Sequence, residues 1–261
     1  MTSRLYPVAR YADPRAAIRF FERAFGFAVR AVFDAPDGGV AHAELTFGTG
    51  TIGLSSVGPV DPSNIWTTVR DGIYACIADP DAHCARAAAG GARIEQPPRD
   101  TSYGSREYTA RDLEGRLWSF GTYSMNDLEG PPVFTPELRY CDAERAVRFL
   151  SSAFDLVPGL AVRNDAGRLT HAELWLEASP LFVAAGPQPD AVWGDRTQCT
   201  QVVAGDPDAH CTRAEREGAT IVVAPYDTPY GARAYVARDP EGFLWGFSTY
   251  VPRFSSVEVS A

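Results

Sequence analysis

In residues 41–47 the large apolar side chains of Leu45 and Phe47 alternate with His42, Glu44 and Thr46, the two-residue period of a strand with one buried face. Residues 51–55 repeat it, with Ile52 and Leu54 on one side and Thr51, Gly53 and Ser55 on the other. Upstream the period changes. Ala17, Phe21, Ala24 and Phe25 fall three and four apart, a helical stripe that Asp13-Pro14 opens and Gly26 can close. Strands are predicted over 5–11, 28–33, 40–47 and 51–57. A second round follows: a strand over 72–78, a helix over 80–90 with Ala87 and Ala88 against the core, and strands over 91–95, 106–111 and 117–123. In the last of these, Trp118 and Phe120 are assigned to the helix-packed face and Leu117, Ser119, Gly121 and Tyr123 to the opposite one.

The whole pattern is then written again. His42-Ala43-Glu44-Leu45 returns as His171-Ala172-Glu173-Leu174, and the run from Asp79 to Cys84 returns from Asp206 to Cys211. Tyr103, Arg106, Tyr108, Trp118 and Tyr123 have counterparts in Tyr230, Arg233, Tyr235, Trp245 and Tyr250. A unit this long exceeds the solenoid repeats and has the size of a domain. Two homologous domains are therefore expected, at 1–128 and 134–255. The joint is 125–136, where Asn, Asp, Gly and Pro131-Pro132 break any period. The polar tail after Arg253 reads as frayed.

Composition narrows the function classes. With 45% hydrophobic and 22% charged residues the chain is an ordinary globular protein, and no apolar run approaches the roughly 18 residues that span a bilayer. All 24 basic residues are arginine, so a lysine Schiff base is excluded. A net charge of −9 with no basic face argues against nucleic acid, and an acidic surface tolerates a cationic small molecule, although solubility explains the charge equally well. Five cysteines without a C-x-x-C pair argue against a disulfide framework, and MTSRLYPVAR lacks the apolar stretch of a signal peptide. The expected location is the cytoplasm.

The four β-α-β-β-β modules, the opening YPVARYADPRAAIRFFERAFGF, the AHAEL and GTGTIGLSS strands and the ending YGSREYTARDLEGRLWSFGTY resemble the vicinal-oxygen-chelate superfamily. That is the glyoxalase, bleomycin-resistance and extradiol-dioxygenase group, and the chain looks most like its PhnB-like or glyoxalase-like members. The resemblance implies an α+β fold: tandem domains forming two open half-barrels with helices outside, a pseudo-dimer within one chain that could also form further oligomers. It also implies where relatives hold a divalent cation, through His, Gln or Glu on the first and last strand of each module. Those positions fall here on Tyr6, near Ile73, on Thr135, near Thr200, and on Gly53, Ser119, Phe182 and Gly246. None is His, Glu, Asp or Cys, and a shift of one residue offers only Tyr74, Trp118 or Gln201. No metal and no other cofactor is expected at the usual centre.

Candidate ligand-binding residues are His42, Glu44, Trp66, Tyr103, Arg106, Ser119 and Tyr123 in the first copy, and His171, Glu173, Trp193, Tyr230, Arg233 and Tyr250 in the second. His42 with Glu44, and His171 with Glu173, share a strand face and could act as acid and base or bind a ligand amine; bonding each other and neighbouring strands would account for them equally well. Trp66 and Trp193 lie in Pro/Asp/Ser-rich connectors suited to lids or interfaces, and Tyr103 and Tyr230 at the cleft mouth could stack on a ligand. Arg106 and Tyr108 share a face that the sequence does not identify. Asp112 and Asp239 flank turns and are read as holding them. His83-Cys84 and His210-Cys211 point about 100° apart on a helix and read as a partly solvated helix face. Cys76, Cys141 and Cys199 read as small core residues. Gly53 against Phe182, Thr46 against Trp175 and Glu107 against Ala234 predict two unequal clefts, the second more filled. The expected function is metal-independent binding of an aromatic or cationic small molecule, sequestering a toxic or antibiotic compound. The alternative is a glyoxalase-like lyase or isomerase using His42, Glu44, His171 or Glu173 as acid and base.

Overall fold

The computed structural model describes residues 4–36, 38–58, 69–112, 115–125, 133–186 and 197–253, and the backbone of 258–260. In the first copy β1 (Arg4–Tyr11), α1 (Pro14–Phe20), β2 (Ala28–Asp34), β3 (Val40–Phe47) and β4 (Gly50–Ser56) make one module. The next is β5 (Asp71–Cys76), α2 (Pro80–Ala89), β6 (Arg93–Asp100), β7 (Arg106–Arg111) and β8 (Leu117–Gly121). The second copy supplies β9 (Phe134–Tyr140), α3 (Ala143–Phe154), β10 (Val157–Arg163), β11 (Leu169–Leu176) and β12 (Ser179–Ala185). It closes with β13 (Gln198–Val203), α4 (Pro207–Arg216), β14 (Thr220–Asp227), β15 (Arg233–Arg238) and β16 (Leu244–Ser248).

Each helix starts for the same local reason. The side chains of Asp13, Asp79, Asp142 and Asp206 accept the free amides of Ala16, Ala82, Arg145 and Ala209 at 2.8, 3.0, 2.9 and 3.0 Å. After α1 the chain continues through a π turn, Phe21–Phe25, and Gly26 ends it in the left-handed conformation at φ 72°.

Two open sheets result, ordered β2-β3-β4-β1-β5-β8-β7-β6 and β14-β15-β16-β13-β9-β12-β11-β10-β17, where β17 is Glu258–Ser260. In each, the two modules meet through their antiparallel first strands, β1 with β5 and β9 with β13. The tail expected to be frayed thus adds a short parallel strand to β10. Two further departures involve proline. β6 runs on to Asp100 through Pro97-Pro98, which an edge strand with register shifts accommodates. β9 begins at Phe134, so Pro136, placed in the joint by the sequence, stands in a strand opposite Thr200.

The helices lie on one face of each sheet, and that face is where the copies meet. One apolar cluster joins Trp118, Phe120 and Tyr108 of the first copy to Leu150, Phe154 and Tyr140 of the second. The other joins Phe21, Phe25 and Leu45 to Tyr235, Trp245 and Phe247. Each module therefore shares its core with a module of the other copy. Polar ties cross the same boundary. Tyr11 donates to Asp239 and Tyr140 to Asp112, both at 2.6 Å, so these aspartates do more than hold turns. Nor are the helix histidines a solvated face. His210 is buried, with Nδ1 2.6 Å from the Tyr235 hydroxyl and Nε2 3.0 Å from the Phe25 carbonyl of the other copy. His83 makes the matching contacts to Tyr108 and Phe154 at 2.5 and 3.3 Å. Two smaller corrections concern Ala88 and Cys141, which are exposed rather than in the core: Ala88 lies on the outer side of α2 and Cys141 in the bend before α3. Among the described residues no helix is long and apolar enough to cross a membrane.

Candidate functional site

Each sheet keeps one face free of helices. In the first copy strand register sets Glu44 beside Gly53, Gly53 beside Val8, Tyr6 beside Tyr74, and Tyr74 beside Ser119. Tyr6, Tyr74, Cys76 and Met125 pack together on this open face, with Val8 and Tyr123 against them. Glu44 is fully buried below the rim. Its carboxylate is bound by Arg30 and by the Tyr123 hydroxyl at 2.6 Å, and His42 Nε2 stands 3.4 Å away. Burial alone would raise the proton affinity of Glu44; the hydrogen bonds from His42, Tyr123 and Arg30 and the Arg30 charge outweigh it, and hold the carboxyl below its ordinary range. A second acid, Glu107, accepts from Tyr103 at 2.9 Å and Tyr74 at 3.3 Å. Tyr103 is 61% exposed and lies edge-on to Tyr123. Burial, then the Glu107 charge, push both the Tyr74 and Tyr103 phenols up, so both stay protonated donors.

The second face keeps the plan and changes the partners. Glu173, Phe182 and Glu137 stand side by side on β11, β12 and β9. Tyr250 donates to Glu173 Oε1 at 2.6 Å, but Glu173 Oε2 is buried without a hydrogen-bond partner. Burial raises the Glu173 carboxyl, and the Tyr250 bond offsets this only in part. His171 packs edge-on against Phe182, with ring centroids 5.0 Å apart, and burial lowers its pKa to about 4. Gln201 donates to Glu137, whose carboxyl burial raises despite Gln201 and the Arg139 charge. The Gln201 amide lies so close over Gly246 that any Cβ there would collide with it. Tyr230, 66% exposed, meets Tyr250 at 5.5 Å and an interplanar angle of 71°.

The structure thus gathers His42, Glu44, Tyr103 and Tyr123 around one open face and His171, Glu173, Tyr230 and Tyr250 around the other. Ser119 is on the first face but buried, its hydroxyl 3.5 Å from the Tyr108 carbonyl. Arg106 and Arg233 are elsewhere. They share the helix side with Tyr108 and Tyr235, and bind Asp81 and Asp208 in the first turns of α2 and α4, at 2.7 Å through Nη2 in each case. Alternation offered two faces, and the helix acids claim these arginines. Trp66 and Trp193 lie outside the described residues. Two site residues escaped the sequence reading: Arg30, whose counterpart on β10 is Gly159, and Glu137, whose counterpart is Val8. Comparing the copies for lost charges would have found both.

The donor set does not fit a chelated divalent cation. Central positions on the first face carry Val8, rather than Tyr6, opposite Gly53, and Tyr74 opposite Ser119. On the second, Glu137 rather than Thr135 lies opposite Phe182, so Glu137 and Gln201 are two donor side chains while Phe182 and Gly246 offer none. Among the described residues no three of His, Cys, Asp and Glu are placed to share an ion.

A profile described as the Glyoxalase/Bleomycin resistance protein/Dioxygenase superfamily matches residues 5–120 and 133–247. An uncharacterized protein of Mycobacterium bovis is 29% identical over 140 residues, spanning 50% of this chain and 91% of its own. Among solved structures, the 2,3-dioxygenase LapB of Pseudomonas superposes with a TM-score of 0.71 at 10% identity, covering 100% of this chain and 98% of its own. A mutant of 4-hydroxymandelate synthase from Streptomyces coelicolor gives 0.67 at 14%, covering 98% and 95%. The Mn(II)-bound glyoxalase of Novosphingobium aromaticivorans gives 0.65 at 12%, covering 98% and 85%. At these identities the structural likeness is one of fold.

Proposed function

Because the chain belongs to the glyoxalase, bleomycin-resistance and dioxygenase superfamily, we propose that it binds small molecules on its open sheet faces without a metal ion, as a cytoplasmic protein sequestering a toxic or antibiotic compound. The observation that carries this reading is the lining of those faces. Tyrosines stand over acids, Tyr123 over the buried Glu44, Tyr103 over the half-buried Glu107, and Tyr230 and Tyr250 over the buried Glu173, where a chelating centre would need donors converging on one point. Aromatic walls with a few placed acids suit an aromatic or cationic ligand.

The test is chelator-treated protein screened against aromatic and cationic compounds by thermal shift, with metal analysis alongside. A ligand-dependent rise in Tm that the chelator leaves unchanged is expected. Stoichiometric metal that ligand binding requires would overturn the reading. A second reading, a glyoxalase-like lyase or isomerase, is favoured by Glu173, a buried carboxyl of raised proton affinity beside the Tyr250 phenol. Deuterium uptake from solvent into a bound substrate, abolished in Glu173→Gln, would support it over sequestration.

A further inference from the structure

Glu44 and Glu173 are the same residue of the repeat, and Tyr123 and Tyr250 grip them identically at 2.6 Å. The difference is the cation. Register pairs Ala28 with Thr46 and Val157 with Trp175, which puts Gly159 where β2 carries Arg30. Arg30 is bound to Glu44 Oε2. The corresponding oxygen of Glu173 is buried with no donor. His171 has turned to the Phe182 ring. A buried carboxylate oxygen without a donor is costly and calls for an explanation. Here the first copy supplies one: the group that satisfies this acid is a guanidinium arriving from the β2 side.

Resting on the small-molecule reading above, we propose that the second domain takes a flat cation, a guanidinium or amidinium, onto Glu173 in the place that Arg30 fills on Glu44. The first domain is occupied by its own side chain. Several features fit such a ligand. A planar cation matches a carboxylate through two parallel hydrogen bonds and rests well on aromatic rings; Tyr250, Tyr230 and Phe182 provide them. Glu137, two strands from Glu173, adds a second acid. Oε2 is sealed from water in the free chain, so the ligand must displace what covers it on entry.

Benzamidine is the probe and benzamide its neutral counterpart, titrated calorimetrically into the full chain. One benzamidine per chain is expected. Glu173→Gln should weaken it roughly tenfold or more, the scale of a lost charge-assisted hydrogen bond. Gly159→Arg should block it by restoring the internal guanidinium, and Arg30→Ala should raise the count to two by freeing Glu44. Should Glu173→Gln fail to fold, the other two variants decide. Unchanged benzamidine binding in Glu173→Gln or Gly159→Arg, a count that stays at one in Arg30→Ala, or no binding to the wild type overturns the proposal. Benzamide binding as tightly as benzamidine sinks the cation site yet leaves small-molecule binding standing. That broader reading fails separately, if a panel of aromatic compounds of either charge produces no thermal shift.

Discussion

The phenol of Tyr11 donates to Asp239 Oδ2 at 2.6 Å across the boundary between the two copies, and the Trp245 indole meets the same oxygen at 3.2 Å. Burial raises the Asp239 carboxyl, offset by Tyr11, Trp245 and the backbone amides of Phe243 and Glu241. The matching aspartate, Asp112, has Arg116 at 3.3 Å as well as Tyr140 and Trp118, whereas Phe243 stands where Arg116 would be. Tyr11→Phe should therefore destabilise more than Tyr140→Phe, by about 1–3 kcal/mol, because it strips an acid with no adjoining cation. Denaturant midpoints of the two single variants check the order, and the double variant should be close to additive.

Acid should loosen the same boundary. His210 is buried neutral, its Nδ1 accepting from the Tyr235 hydroxyl and its Nε2 donating to the Phe25 carbonyl, and burial lowers its pKa from 6.5 to about 4. The unfolded chain binds the proton first, so this contribution is complete above pH 6.5 and is lost as pH falls toward 4, on the order of 3 kcal/mol. His171, also lowered to about 4, acts in the same direction. A Tm profile should fall through that window, and His210→Gln should flatten it. An unchanged slope in that variant would remove His210 as the cause.

One substitution should have opposite signs in the two copies. Glu44→Gln breaks a buried carboxylate held by Arg30, Tyr123 and His42, and should cost roughly 1–3 kcal/mol. Glu173→Gln removes a carboxyl whose folded proton affinity is raised, a penalty that grows as pH rises and the acid ionises. At neutral pH it should raise Tm. Thermal melts of both variants at pH 7 and at pH 5 test this, with the Glu173→Gln gain shrinking at the lower pH.

Gly90, in the turn that ends α2, is also a close helix contact. A Cβ there would lie 2.6 Å from Ala153 Cα, where α2 crosses α3. Gly90→Ala should push the helices apart and cost about 1–3 kcal/mol, seen as a lower Tm.

Much of this was legible in the sequence, for identifiable reasons. Alternation placed Leu45, Ile52, Leu54, Trp118 and Phe120 on the buried side, because a strand has only two faces and apolar area decides between them. Asp13 announced the first helix, and the repeat carried that signal to its counterpart Asp142. Periodicity within one copy is blind to contacts between copies, so His83, His210, Asp112 and Asp239 were read as local features. Arg30 was hidden because nothing in its own strand pattern distinguishes a side chain that reaches inward from one that stays in solvent. Glu137 was missed because counting from the helix start landed on Thr135, two residues short and on the same face.

The mixed cores also set what change the chain can tolerate. With Trp118 and Phe154 in one cluster and Phe25 and Trp245 in the other, neither half can be cut away without baring apolar surface of its partner. Constraint therefore concentrates on the helix side, where every substitution is felt by both halves. The open faces carry no such mutual obligation, and there one half carries Arg30 where the other carries Gly159, so that the repeated unit presents two chemically different surfaces on a single indivisible scaffold.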